Sequence, residues 1–314
     1  MKRKLLVITL AVMMVFVFSA IPVSAASKQV VQVSEKDYNI EDGKEVLNWS
    51  YVDTYKNGRI AKYESKNIWY DYQYDEETGE ETKTKKTDNY EYTYSYKNGL
   101  MATELRKTNG KKSGKTVYTY KNKQRTKSVS YNYENGKYVK VSTTTYKRTS
   151  KKLTVTTKYE NGDPEYKYVD NYDSKGRVKT SVTYRGGKKE GTDTYTYYSN
   201  GITKKSVYKS EDGETSYTYN YNKNGQITKS VDVYPDSKNV NEYDYNKKGL
   251  VTKRTEKSTY TDWEGNKQTE THTYEYKYSN FYNSNKAYPK TVKIYRDGEY
   301  WQKEIRGYKK IALK

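Results

Sequence analysis

The sequence predicts an all-β fold: a long antiparallel meander of β-hairpin repeats, about 24–25 residues each, curled into a spiral or solenoid-like sheet. Three observations predict it: Tyr alternates with small polar residues, Asn-Gly pairs interrupt these runs, and the unit recurs at a nearly constant interval. Residues 216–233, SYTYNYNKNGQITKSVDV, are the clearest unit. Alternation at period two on both sides of an Asn-Gly pair is typical of a β-hairpin.

The repeat is best seen in the last Tyr before each turn. These residues are Tyr96, Tyr120, Tyr146, Tyr172, Tyr197, Tyr221 and Tyr245, at intervals of 24, 26, 26, 25, 24 and 24 residues. Such a period indicates a repeat protein. Because strand twist accumulates, a meander of this length cannot stay flat, so we expect it to curl. We expect the Lys and Thr face outside and much of the Tyr and Val face inside.

The first 25 residues have the features of a secretory signal peptide. A basic segment, Lys2 to Lys4, precedes an uncharged apolar run from Leu5 to Phe18, and small residues lead to Ala25. An uncleaved membrane anchor is the alternative, but the apolar run is short for a span. The rest is expected to divide into a lead-in or N-terminal cap at 26–45, Tyr-rich hairpin repeats at 46–255 and atypical C-terminal repeats at 256–314.

The apolar composition favours a thin dry interior. The chain has 41 Tyr but only three Phe, two of which lie in the signal segment. A buried phenol needs a hydrogen-bond partner. Tyr therefore suits a sheet face on which the rings pack against each other and the hydroxyl groups remain in contact with water. The chain has no Cys, hence no disulfide and no thiolate metal site. An exported protein without disulfides indicates a bacterial envelope or its surroundings.

The charge balance indicates which partners the chain would attract. Removal of the signal peptide lowers the net charge from +20 to +17. Such a surface attracts anionic cell-wall polymers, acidic polysaccharides or anionic headgroups. The alternative is that scattered Lys residues only keep a long sheet soluble and its edges unpaired. We expect no specific nucleic acid, no membrane span after signal cleavage, and a monomer that is secreted or associated with the cell wall.

The turns carry a family resemblance. Tyr172 to Val178 reads YDSKGRV, and the spacing of Tyr, Asp or Asn, and Gly recurs from Tyr221 to Gly225 and from Tyr245 to Gly249. This unit resembles the tyrosine-aspartate (YD) repeat of rearrangement-hotspot proteins, teneurins and bacterial surface proteins. The resemblance covers about residues 50–255 and implies a spiralling sheet of hairpins in an extracellular or envelope role. Other units depart from it: the turns after Tyr55 and Tyr96 are shorter, Tyr198 takes the Asp position, and Gln124 and Ser150 replace Gly.

A second resemblance is confined to one place. Residues 98–103, NGLMAT, look like the end of a choline-binding wall repeat. Such modules hold a quaternary ammonium in cages dominated by Trp. The four Trp here, Trp49, Trp69, Trp263 and Trp301, lie outside the regular array. A cell-wall-binding module of this kind is the alternative function.

The sequence offers no catalytic or metal-binding motif and implies no cofactor. His272 is the only His and is expected on a sheet face, while the acidic residues 75–81 lack calcium-loop spacing. We therefore expect no enzyme, but a secreted, bacterial-surface repeat protein, structural or weakly binding anionic or glycan polymers. Turn-proximal Tyr residues are the candidate stacking sites for sugar rings, with mutual packing in the sheet as the alternative role. They are Tyr96, Tyr120, Tyr172, Tyr197, Tyr221 and Tyr245.

Overall fold

The structure is a computed structural model that describes residues 28–74, 78–79, 81–285 and 287–313. The expected signal peptide and residues 75–77 and 80 of the acidic segment lie outside the described residues. Within these ranges the chain forms twenty antiparallel strands and one 3-10 turn, Tyr282–Ser284. The strands are β1 Gln29–Glu41, β2 Lys44–Lys56, β3 Arg59–Tyr74, β4 Glu81–Lys97, β5 Leu100–Thr108, β6 Lys111–Lys121, β7 Gln124–Glu134, β8 Lys137–Arg148, β9 Lys152–Tyr159, β10 Tyr166–Tyr172, β11 Val178–Arg185, β12 Lys188–Tyr197, β13 Thr203–Ser210, β14 Ser216–Tyr221, β15 Ile227–Tyr234, β16 Ser237–Tyr245, β17 Val251–Thr261, β18 Lys267–Phe281, β19 Pro289–Arg296 and β20 Glu299–Ile311.

The sheet closes on itself, so the predicted open spiral or solenoid-like sheet is wrong. Each strand pairs with its neighbours in sequence, as predicted for a meander, but β1 also pairs with β20. This pairing runs from Gln29 opposite Ile311 to Asn39 opposite Gln302. The pairing therefore joins the N-terminal lead-in to the C-terminal repeats through β1 and β20. A circular barrel of twenty strands would be roughly 40 Å across between backbones.

Regular bulges give a physical reason for closure. In seven hairpins the register shifts by one residue just before the last Tyr of the first strand. A bulge bends its strand and increases the local twist. Because the bend recurs at nearly every second strand, the curvature is even, and the first and last strands meet. The shifts precede Tyr55, Tyr96, Tyr120, Tyr172, Tyr197, Tyr221 and Tyr245.

The predicted turns lie at two opposite rims of the barrel. The turns that follow the last Tyr of each repeat form one end, which we call the tyrosine rim; the remaining hairpin turns form the second rim. At Asn98–Gly99 both residues have positive φ, 51° and 78°, as a two-residue hairpin turn requires. In the longer turn at Asp173, the carboxylate accepts the backbone N–H groups of Lys175 and Arg177, both at 2.9 Å. This contact makes the side chain part of the turn.

The two faces of the sheet differ in chemistry, as β13 illustrates. Ser206 and Tyr208 lie on one face, and Lys205, Val207 and Lys209 lie on the other. Burial raises the pKa of seven carboxyl groups, all on the Tyr-bearing face: Asp37, Asp53, Glu104, Asp170, Asp193, Asp232 and Glu304. Only the inner face of a single closed sheet is shielded by the rest of the barrel, so we assign the Tyr face to the inside. Most Lys residues lie outside as expected, but valines such as Val207 and rings such as Tyr131 accompany them, and Thr116 lies on the Tyr-bearing face.

The dry core is thin, in agreement with the composition. The one cluster of buried apolar residues found in the described ranges consists of Tyr274, Val292 and Ile294. Elsewhere small residues make room for rings: Ser206 is buried between Tyr195 and Tyr219 of the adjacent strands. Contacts between described side chains join strands at most three apart around the barrel, so none spans the interior. No helix in the described part of the chain has the length and apolar character to cross a membrane.

Candidate functional site

The six candidate Tyr residues lie together at the tyrosine rim. Tyr96, Tyr120, Tyr172, Tyr197, Tyr221 and Tyr245 all end a strand just before a turn, and all are partly buried. Alternation along the strand places each ring on the inner face, and the extra residue of the bulge lies in the following strand, as Ala102 does opposite Tyr96. The structure therefore brings them to one end of the barrel, at positions that repeat every second strand.

Three of these hydroxyls hold neighbouring repeats together. Tyr96, Tyr197 and Tyr245 donate to the backbone carbonyls of Ile60, Val178 and Ile227, at 2.8, 2.5 and 2.6 Å. Each acceptor lies at or next to the start of the adjacent strand, just after the preceding turn of the rim. Outside the six, Tyr278 makes the same bond to Val251 at 2.6 Å. The bond therefore ties each turn to the next along the rim, which is a structural role.

The other three hydroxyls meet side chains. Tyr172 accepts a hydrogen bond from Arg148 Nη1 at 2.9 Å, and Tyr120 accepts one from Arg125 at 3.4 Å. Tyr221 lies 3.4 Å from Ser206 Oγ. The ring faces also make contacts: the guanidinium of Arg177 stacks on Tyr197, 4.3 Å from the ring centroid. These contacts favour mutual packing for the six residues, and sugar binding by them stays a prediction.

Below the tyrosine rim, the inner face carries desolvated carboxyl groups. Burial raises the pKa of Asp53 to about 6. Burial, reinforced by the charge of Asp170, raises the pKa of Asp193 to about 6 as well. Burial also raises the pKa of Glu304, although its contact with Arg306 lowers that pKa. Asp53 and Asp193 therefore change charge in mildly acidic solution, so the inner face becomes less negative as the pH falls.

The outer face is basic and only partly neutralised. Some Lys residues pair with carboxylates of the next strand, as Lys107 does with Glu91 at 2.7 Å and Lys140 with Glu160 at 2.7 Å. Others are exposed, and no described carboxylate lies within 4.0 Å of their Nζ atoms. The exposed, unpaired set used below comprises Lys205, Lys209, Lys238 and Lys257, in β13, β16 and β17.

The second rim carries exposed aromatic rings that the sequence analysis did not single out as sites. Tyr72 and Tyr74 are 57% and 67% exposed at the end of β3, and Trp69 is 43% exposed beside them. Trp263 is 92% exposed in the turn between β17 and β18. A sequence signal for the first group was present: β3 and β4 are longer than neighbouring strands, so their shared hairpin must project.

The described residues show no side-chain arrangement typical of catalysis. His272 lies on the sheet, paired with Glu256, as expected, and its Nδ1 is 2.7 Å from Asp297 Oδ2. Asp297 also accepts the backbone N–H of Thr273 at 2.7 Å, so the contact fastens the β19–β20 turn to β18. Over the described ranges, no group of three or more His, Cys, Asp or Glu side chains could hold a metal ion. Among those same residues, no two Trp rings touch, so no Trp cage for a quaternary ammonium is formed.

Comparisons with known proteins leave the chain without a family. No protein-family model matches it, and no curated protein matches it. A solved structure, a porin-like protein from Bacteroides uniformis, is similar at 12% identity over 90% of this chain and 98% of that chain, with a TM-score of 0.40. A crystal structure of TcdB2-TccC3-TEV is similar at 9% identity over 83% of this chain and 18% of that chain, with a TM-score of 0.17. Because both TM-scores are low, it is the pairing of β1 with β20 that shows a closed barrel, and not the likeness to either structure.

Proposed function

We propose that this protein is a non-enzymatic barrel of the bacterial envelope, exported to the cell surface or wall, whose outer face holds anionic polymers. The observation that carries the proposal is the distribution of charge between the two faces. Carboxyl groups and Arg share the inner face, whereas Lys alternates with Thr and Val outside. The excess positive charge of the chain is thereby directed outward, where an extended polyanion can reach it.

The interaction would be multivalent and sensitive to salt. Exposed Lys205 and Lys209 lie on the outer face of β13, and Lys257 lies on the outer face of β17, with three strands between them, so one flexible chain can contact several of them. Individually weak contacts on one chain add up through effective concentration. Charges at an exposed surface are screened over about 8–10 Å at physiological ionic strength. The affinity should therefore fall steeply as salt is added.

A matched pair of variants tests the proposal with poly(glycerol phosphate) and polygalacturonate as ligands. One variant replaces the exposed, unpaired set, Lys205, Lys209, Lys238 and Lys257, by Gln. The control replaces four paired lysines, Lys107, Lys140, Lys189 and Lys229, each 2.7 Å from a Glu, and so changes the net charge equally.

We expect the first variant to bind at least tenfold more weakly than the parent. The slope of the logarithm of its binding constant against the logarithm of the NaCl concentration should become shallower by up to about 3, and both changes should be smaller in the control. Titration calorimetry between 50 and 500 mM NaCl measures both quantities. Equal losses in the two variants, or binding that does not depend on salt, would contradict the proposal. Absence of binding by the parent chain would leave only the structural role of the barrel.

A further inference from the structure

The β3–β4 hairpin projects from the second rim beyond both of its neighbours. β2 pairs with β3 only as far as Trp49 opposite Asn67, and β5 pairs with β4 only from Thr108 opposite Tyr90. The seven residue pairs from Ile68–Thr87 to Tyr74–Glu81 therefore stand with neither edge in the barrel wall. We call this part, residues 68–74 and 81–87, the projecting hairpin. Its base is anchored, because Ile68 is only 5% exposed.

The projecting hairpin presents rings to solvent on both faces. Tyr70, Tyr72 and Tyr74 alternate along one face, and Trp69 lies on the other. Successive rings on a strand stand about 6.6–6.8 Å apart, and the centroids of Tyr70 and Tyr72 are 6.5 Å apart. Tyr72 and Tyr74 are the more exposed of the three, so their ring faces are open to a ligand.

Contacts hold these rings in defined orientations. Trp69 Nε1 donates to Asp88 Oδ2 at 3.0 Å, which fixes the indole against β4. Lys83 Nζ lies 4.0 Å from the ring centroid of Tyr70 and 5.8 Å from that of Tyr72. Lys83 also lies 4.0 Å from Glu41 at the tip of the β1–β2 hairpin, so the two hairpins are connected. Pre-oriented rings lose little conformational entropy when a ligand stacks on them.

A groove between the two hairpins adds groups that recognise hydroxyls. It is lined by Trp69, Tyr72 and Lys83 of the projecting hairpin and by Asn39, Glu41 and Asn48 of the β1–β2 hairpin. Each Asn amide can both donate and accept a hydrogen bond, as a sugar hydroxyl does. Aromatic rings beside amides and charged groups are a suitable lining for a polyol with apolar ring faces.

The projecting hairpin differs in charge from the basic outer face of the barrel. From Ile68 to Asp88, the described residues carry three lysines, Lys83, Lys85 and Lys86, and three carboxylates, Asp71, Glu81 and Asp88. In the sequence between the two strands, residues 75–80 add acidic groups and no basic one. A polyanion has no attraction here, although the whole chain carries +20. A neutral ligand fits this balance.

We propose that the projecting hairpin and its groove bind a neutral glycan chain, whose pyranose rings stack on Tyr72 and Tyr74 while Trp69 flanks the groove. A protein partner fits less well, because Glu81, Lys83 and Lys85 lie directly opposite the three Tyr residues on the same face, and charged residues are depleted at the centre of protein interfaces. Sugar rings need only a flat apolar surface with polar groups beside it. This site does not depend on polyanion binding by the outer face.

The test measures binding of three neutral hexasaccharides to the mature chain: β-1,4-glucan, β-1,4-linked N-acetylglucosamine and α-1,4-glucan. The ligands are titrated at 0.5 M NaCl and followed by calorimetry and intrinsic fluorescence. We expect at least one to bind, and the Tyr72→Ala/Tyr74→Ala variant to bind it at least tenfold more weakly. Both residues are exposed, so the variant should retain the circular dichroism of the parent. Trp263→Ala removes an exposed ring far along the rim and should leave the affinity unchanged.

Each alternative outcome overturns the inference. Binding to none of the three hexasaccharides, or binding that Tyr72→Ala/Tyr74→Ala leaves intact, excludes the projecting hairpin as a neutral-glycan site. Binding of a neutral hexasaccharide that is seen in low salt and abolished at 0.5 M NaCl would mean that stacking on the rings does not hold the ligand, and would also overturn the inference. The Lys205, Lys209, Lys238 and Lys257 variant distinguishes the two proposals, because it should bind neutral hexasaccharides as the parent does.

Discussion

A disulfide between the first and last strands tests closure of the barrel directly. Lys36 in β1 lies opposite Ile305 in β20, and the chain contains no Cys that could interfere. Directly opposed residues of antiparallel strands have Cα atoms about 4.5–5.5 Å apart, within the range of about 4.4–6.8 Å that a disulfide needs. We therefore expect Lys36→Cys/Ile305→Cys to form an intramolecular disulfide on mild oxidation. An open spiral would hold these positions too far apart.

The bond should also stabilise the protein by a measurable amount. It closes a loop of roughly 270 residues, for which the chain-entropy model gives about 5–6 kcal/mol, although engineered disulfides typically deliver about 2–4 kcal/mol. For a chain of this size, with an unfolding entropy of about 0.6 kcal/mol/K, we expect the Tm to rise by about 3–7 °C on oxidation and to return on reduction. Non-reducing electrophoresis detects the bond, and scanning calorimetry measures the shift.

A second cysteine pair controls for chemistry. Val169 and Val182 are opposed in the consecutive strands β10 and β11, which are paired in a closed barrel and in an open spiral alike. Val169→Cys/Val182→Cys should therefore crosslink in either architecture. If this pair oxidises while Lys36→Cys/Ile305→Cys stays reduced or joins two molecules, the reasoning that β1 and β20 close the sheet is refuted.

Two further predictions concern the inner face. Tyr245→Phe removes the 2.6 Å bond to Ile227 and should lower the free energy of unfolding in urea by about 1 kcal/mol, whereas Tyr159→Phe, at an exposed ring, should change it little; equal effects would contradict a structural role for the rim hydroxyl. Because burial raises the pKa of Asp53 and Asp193 from 3.8 to about 6, their protonated forms stabilise the fold below about pH 4, and this contribution is lost as the pH rises to about 6. Asp53→Asn/Asp193→Asn should match the parent near pH 4 and exceed its unfolding free energy above pH 6 by about 1–2 kcal/mol, after allowance for screening. A difference that does not vary with pH, measured by urea unfolding from pH 4 to 7, would contradict the assignment.

Local structure was predictable because each hairpin is specified by adjacent residues. Tyr at alternate positions and the pair Asn98–Gly99 predict a strand, a turn and the face on which the rings lie, and the structure has all three. Closure was not predictable in the same way. It depends on the sum of about twenty small bends, and a slight change in each would give a spiral. The bulge opposite Tyr96 that supplies one such bend leaves Ala102 of β5 without a paired residue, and the Tyr alternation in β4 gives no signal for it.

The candidate sites show a similar limit. Alternation places Tyr197 and Tyr245 on one face, but it cannot tell whether their hydroxyls face a ligand or the carbonyl of the next turn. Exposure of Tyr72 and Tyr74 depends on where the neighbouring strands stop. That information is partly in the sequence, because the turn at Asn109–Gly110 ends β5 directly after Thr108, whereas β2 continues to Lys44 but parts from β3 beyond Trp49. Comparing strand lengths between adjacent hairpins would have revealed the overhang.

The separation of Arg from Lys explains why the two proposed ligands should bind in different places. On the inner face, Arg254 stacks 3.8 Å from the ring centroid of Tyr274 and contacts Glu256 at 3.1 Å. A planar, weakly hydrated guanidinium tolerates this shielded position, whereas a strongly hydrated ammonium such as that of Lys257 favours solvent. Arg254 thus has a ring and a carboxylate partner on the inner face, although its Nε atom lacks a hydrogen-bond partner among the described residues, whereas Lys257 on the outer face is exposed and unpaired. A polyanion should therefore meet the outer face first, and a neutral glycan should find its stacking surface only at the projecting hairpin.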